Sequence, residues 1–124
     1  MRVLKIAMII PLMFMLLNNK AQAQGGKYGA TPQDSIDCIQ NLNFYQEEYK
    51  RNNYKAAYEP WRESLRLCPK SSINLYVRGI KIMSEHINSI ADPTEKKAAV
   101  ETLLKLYDDR LQYFPKQSKP AEIA

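Results

Sequence analysis

The run Tyr54-Lys55-Ala56-Ala57-Tyr58-Glu59-Pro60-Trp61-Arg62-Glu63-Ser64-Leu65-Arg66-Leu67-Cys68-Pro69 decides the fold. Tyr54, Ala57, Tyr58, Trp61, Leu65 and Cys68 recur at steps of three and four, which lines them along one side of a helix that Pro69 closes. The pattern recurs. With residues 56–69 set beside 102–115, Trp61 falls on Tyr107, Leu65 on Leu111, Cys68 on Phe114, and proline on proline. An internal repeat of helix hairpins limits the fold to a short all-α stack of two antiparallel hairpins, an architecture suited to binding other proteins.

The N-terminus reads as an export signal. Arg2 and Lys5 precede an apolar stretch at 6–17, and Ala21-Gln22-Ala23 offers small residues at the spacing a signal peptidase reads. About 12 apolar residues interrupted by Pro11 fall short of the ~20 needed to span a bilayer, so a cleaved signal over 1–23 is expected rather than an anchor. No cysteine stands at the cleavage region, which argues against a lipid anchor there. Removing residues 1–23 from the 124 leaves 101, and the 18 Lys and Arg lose Arg2, Lys5 and Lys20. Fifteen then face 13 Asp and Glu, so the +5 of the whole chain falls to +2, with both signs interspersed. A nucleic-acid partner loses its main support.

Cys38 and Cys68 are the only cysteines, and an exported chain meets an oxidising compartment. With a chain reversal near residues 51–53, the two lie at matching heights of an antiparallel hairpin, so a disulfide is expected, against the alternative of two buried thiols.

The helices follow in order. Residues 24–31, with three glycines and no periodicity, read as a flexible leader. Thr31-Pro32-Gln33-Asp34 starts the first helix, whose expected stripe is Ile36, Cys38, Ile39, Leu42, Tyr45 and Tyr49. Asn52-Asn53 forms the turn and the next cap. In the second helix Pro60 is expected to bend rather than break the run, because Ala57, Trp61 and Leu65 stay in phase across it. Ser71 or Ser72 caps the third helix, with Ile73, Tyr76, Ile80, Met83, Ile87 and Ile90 on its stripe and Gly79 available for close approach. Asp92-Pro93-Thr94-Glu95 is a capping box for the fourth, whose stripe is Val100, Leu103, Tyr107, Leu111 and Phe114. Leu104, Leu106 and Tyr113 widen that apolar surface beyond what one neighbour covers, and mark the last helix as an interface for a second copy, a partner, or the returning tail. Residues 116–124 read as a disordered tail.

By residues 54–57, Trp61 and Pro69, the chain resembles the tetratricopeptide repeat. Tyr54, Ala57, Trp61 and Pro69 match that repeat's second helix, while the leucine-glycine pair of its first helix falls at Phe44-Tyr45 and its tyrosine at Glu48. The second hairpin is longer than the ~34 residues usual for the repeat. Together with the signal-like N-terminus, 28–32 and 34–38, these features are similar to the start of exported tetratricopeptide proteins of Bacteroidota, which form longer arrays. The resemblance implies a periplasmic or envelope scaffold for a protein or peptide partner, with no catalysis. It also implies a groove lined by the first helix of each hairpin, placing Gln46, Tyr49, Lys50, Arg78 and Lys81 towards a bound segment.

Chemistry of other kinds has little to stand on. His86 is the one histidine, Glu59 and Glu63 interleave with Arg62 and Arg66 as an ion-pair face, Asp108-Asp109 reads likewise, and no phosphate loop, nucleophile motif or cofactor signature is present. The remaining alternative is a small secreted helical effector or inhibitor stapled by its disulfide.

Overall fold

The computed structural model describes residues 26–118, so the expected signal segment and the end of the tail lie outside the described residues. Four helices follow one another: α1 (Pro32–Lys50), α2 (Tyr54–Leu67), α3 (Asn74–Ser89) and α4 (Pro93–Tyr113). Each packs chiefly on its neighbours in sequence, as in a stack.

The punctuation is local chemistry. The Thr31 hydroxyl accepts the Asp34 N–H, the Asn53 side chain accepts that of Ala56, and Asp92 accepts that of Glu95 at 2.8 Å. Asn52 takes the left-handed backbone of the α1–α2 turn with φ 58°. Ser72 Oγ accepts the Asn74 N–H at the start of α3. Helix α2 runs unbroken through Pro60, whose carbonyl accepts a 2.8 Å bond from Ser64 Oγ.

Cys38 and Cys68 form a disulfide with Cα atoms 6.1 Å apart, tying α1 to the end of α2. Beside it lies a core of Leu42, Tyr45, Ala57, Trp61, Leu75, Tyr76, Ile82, Met83 and Leu106. Trp61 is its pivot. The indole Nε1–H donates to the Leu75 carbonyl at 2.8 Å, and the ring lies so close to α3 that a Cβ on Gly79 would stand 2.6 Å from Nε1. Glycine is there to admit the ring, as its place in the sequence suggested.

Three expectations need correction. Ile36 and Ile39 are exposed, because α1 has only α2 as a close neighbour and turns Cys38, Leu42 and Tyr45 towards it. Helix α3 lies between α2 and α4 and therefore buries Leu75, Gly79 and Ile82 as well as Tyr76, Met83 and Ile87; Ile73, Ile80 and Ile90 are only half-buried. In α4 the inward residues are Ala99 and Leu106, whereas Val100, Tyr107 and Leu111 of the expected stripe face outward. At the two ends of the described residues, Gly26 and Gly29 close a turn with Gly29 against Asp34, Pro115–Gln117 forms a 3-10 turn, and Ser118 is buried.

Candidate functional site

The last turn of α1 and the first residue of α2 are held together by the reversal between them. Asn53 Nδ2 donates to Glu48 Oε2 at 2.9 Å, Arg51 pairs with the other oxygen of Glu48, and Tyr54 OH donates to Asn52 Oδ1. This network sets the Tyr49 and Tyr54 rings edge to face, with centroids 5.4 Å apart. Helix α3 then brings two cations onto the pair. The Arg78 guanidinium sits 5.5 Å from the Tyr49 ring centroid, and Lys81 Nζ 5.2 Å from that of Tyr54.

The two cations differ in their other partners. Lys81 donates to Glu85 Oε1 at 2.6 Å, a hydrogen bond that raises the lysine above its ordinary pKa. No carboxylate forms an ion pair with Arg78 among the described residues. It neighbours Tyr45, whose phenol is pushed up by burial while the guanidinium opposes that rise. Arg78 is therefore a half-buried cation held against two tyrosines, with no carboxylate paired to it among the described residues.

Of the expected groove residues, Tyr49, Arg78 and Lys81 are thus brought together across α1 and α3. Gln46 precedes Tyr49 by one turn and is half-buried, and Lys50 is exposed; neither reaches across to α3 through a hydrogen bond or ion pair. Tyr54 is the member that reading the sequence overlooked. Its position as the aromatic opening the repeated helix was visible, but helical spacing assigns it to the core.

The residues expected to make the last helix an interface divide. Leu104 is 59% exposed, whereas Leu106 is 2% exposed and belongs to the core, so it is unavailable to a partner. Tyr113 is half-buried, 6.3 Å from the Tyr76 ring and beneath Lys70 Nζ, and serves packing at the end of α4. Two positions along the helix put these leucines on opposite sides, because each step turns the side chain by about 100°.

Two open clefts flank these faces. One, of ≈ 690 Å³, is lined by Tyr54, Tyr58, Glu59, Glu85 and His86. His86 is not a free surface group there: its ring stacks on Tyr58 at 3.9 Å. The other, of ≈ 560 Å³, lies between α2 and α4, with Arg62, Arg66, Tyr76, Lys105, Leu106 and Asp109 on its walls. Its charges are neutralised in place by Arg62–Glu59, Arg66–Glu63 and Lys105–Asp109 pairs of 2.9, 2.8 and 2.6 Å. The hydrogen bond from Arg66 holds the Glu63 carboxyl below its usual range, the opposite of what a proton-donating acid requires. Among the described residues, no group of three or more His, Cys, Asp or Glu is placed to hold a metal, and no helix is long and apolar enough to cross a membrane.

No family model matches the chain, and no curated protein or solved structure matches it either.

Proposed function

We propose that the chain is an exported scaffold or adaptor that binds a polypeptide partner in the cell envelope through the joint face of α1 and α3. The observation that carries this reading is the pair of tyrosines with cations from α3 laid over them, one of which has no carboxylate partner among the described residues. Aromatic rings supply contact area at small entropic cost, and the cations select a segment bearing carboxylates. Gln46 and Lys50 extend the same side of α1 with an amide and a further cation. The disulfide supports export, since such bonds persist in oxidising compartments, and the apolar stretch at 6–17 supplies a route there. The tetratricopeptide-like reading forms part of the proposal: Ala57 and Trp61 are both buried, and the helices pack in chain order.

The test is site-specific photo-crosslinking in the native envelope, with the reactive group placed at Gln46 in one strain and at Glu63, on the opposite face, in another. One defined adduct from Gln46 that is lost on Arg78→Glu with Lys81→Glu, and absent from Glu63, is the expected result. Equal adducts from both positions, or an adduct indifferent to the charge reversals, overturns the reading.

A further inference from the structure

The internal repeat has a structural meaning at the far end of the stack. Tyr54, Tyr58, Trp61 and Leu65 lie along α2, and the first three receive α3: Tyr54 takes Lys81, Tyr58 takes His86, and Trp61 takes Gly79 and the Leu75 carbonyl. The repeat alignment carries these four positions onto Val100, Leu104, Tyr107 and Leu111 of α4. Those are the large apolar residues of α4 left in solvent, at 39, 59, 44 and 49% exposure. Helix α4 thus presents a helix-receiving face with no following helix among the described residues. The 3-10 turn at Pro115–Gln117 comes after this stripe and leaves it exposed.

The geometry points to a second copy of this chain as the occupant, its α4 packed antiparallel against the first about a twofold axis. The spacing of the stripe is 4-3-4, the same read from either end. An axis between residues 105 and 106 therefore sets Val100 against Leu111 and Leu104 against Tyr107 of the other copy, each contact occurring twice, as an isologous interface requires. The partly exposed apolar side chains amount to roughly 300–400 Å² on each copy, the size of patch that on a monomer is often functional. Across the twofold the two patches together bury roughly 600–800 Å² of apolar surface, below the ~1,200 Å² of standard interfaces, which suits a weak, reversible dimer. Antiparallel pairing keeps Lys97 away from its own counterpart and opposes the helix dipoles. It also brings Glu101 near Asp108 of the other copy, a like-charge contact that limits affinity.

Sedimentation equilibrium of the purified chain across a concentration series tests this, with a monomer–dimer equilibrium of about 1–100 µM expected. Leu104→Glu should weaken it by ~100-fold or more, since the substitution acts twice across the axis. Phe44→Glu, at an equally exposed apolar site on α1, should leave it unchanged. Glu101→Lys should tighten the dimer by about 5- to 10-fold by facing Asp108 across the interface. Circular dichroism melts check that each variant remains folded. A chain that stays monomeric at millimolar concentration, a dimer broken by Phe44→Glu instead, or one loosened by Glu101→Lys would each overturn the inference. None of these outcomes bears on the α1–α3 face, so the partner-binding proposal is tested separately.

Discussion

Replacing Gly79 with alanine should destabilise the protein, against the direction that helix propensity dictates. In an ordinary helix interior the change gains up to about 1 kcal/mol, because glycine carries the larger entropy cost. Here the new methyl would stand 2.6 Å from Trp61 Nε1, 2.7 Å from Cζ2 and 2.8 Å from Cε2. The ring cannot retreat cheaply. It is 1% exposed, and its N–H is committed to the Leu75 carbonyl at 2.8 Å. Overpacking of this kind costs about 1–3 kcal/mol, and displacing the indole adds about 1–3 kcal/mol for a buried acceptor left without its donor. Net of the propensity gain, a loss of about 1–5 kcal/mol is expected, each kcal/mol lowering the melting temperature of a domain of this size by roughly 4–8 °C. Urea unfolding followed by fluorescence suits the measurement, since Trp61 is the sole tryptophan and sits at the affected contact. In a Trp61→Phe background, followed by circular dichroism, the ring atoms that clash are gone and Gly79→Ala should cost little or stabilise. A coupling of about 1–3 kcal/mol between the two changes is the expected signature. Equal or greater stability of Gly79→Ala with unchanged fluorescence would refute the close approach of α2 and α3.

Removing the disulfide by Cys38→Ser with Cys68→Ser should cost about 3–4 kcal/mol in the chain-entropy model for a separation of 30 residues; an unchanged urea midpoint would count against it. Leu106→Glu should unfold the domain or lower its stability by more than ~3 kcal/mol, whereas Leu104→Glu should change monomer stability by less than ~0.5 kcal/mol; thermal melts at low concentration separate the two. Alkaline pH should destabilise. Burial raises the phenols of Tyr45, Tyr58 and Tyr76, and hydrogen bonds to carboxylates raise Lys81 and Lys105. Folded values above unfolded ones mean stability is complete below about pH 10 and lost as pH rises through the folded values, so melting temperatures that stay level up to about pH 12 would contradict this.

Much of the fold was legible because its signals are local. Thr31, Asn53 and Asp92 cap their helices through the side chains that mark them in the sequence, and Asn52 adopts the backbone that asparagine tolerates. The disulfide followed from the export expected of residues 1–23 and from the matching heights of Cys38 and Cys68 in a hairpin. Which residues of a helix face inward was less legible, since that depends on how many neighbours the helix has. Helix α1 has one close neighbour and leaves Ile36 and Ile39 outside. Helix α3 has two and buries Leu75 and Ile82, which a single stripe excludes.

Helix α4 shows why its inward and outward residues were partly exchanged in the sequence reading. It carries two apolar stripes side by side, Ala99, Leu103, Leu106 and Tyr113 towards the stack, and Val100, Leu104, Tyr107 and Leu111 towards solvent. They are offset by a single position, or about 100° around the helix. The outward stripe holds the larger side chains, and the inward one begins on a small alanine, so periodicity alone favours the outward residues as core. A soluble helix with one task would have polar residues there. The second stripe is therefore what a helix with neighbours on two sides requires, as α3 has in α2 and α4, and the described residues of this chain supply α4 with only one of them.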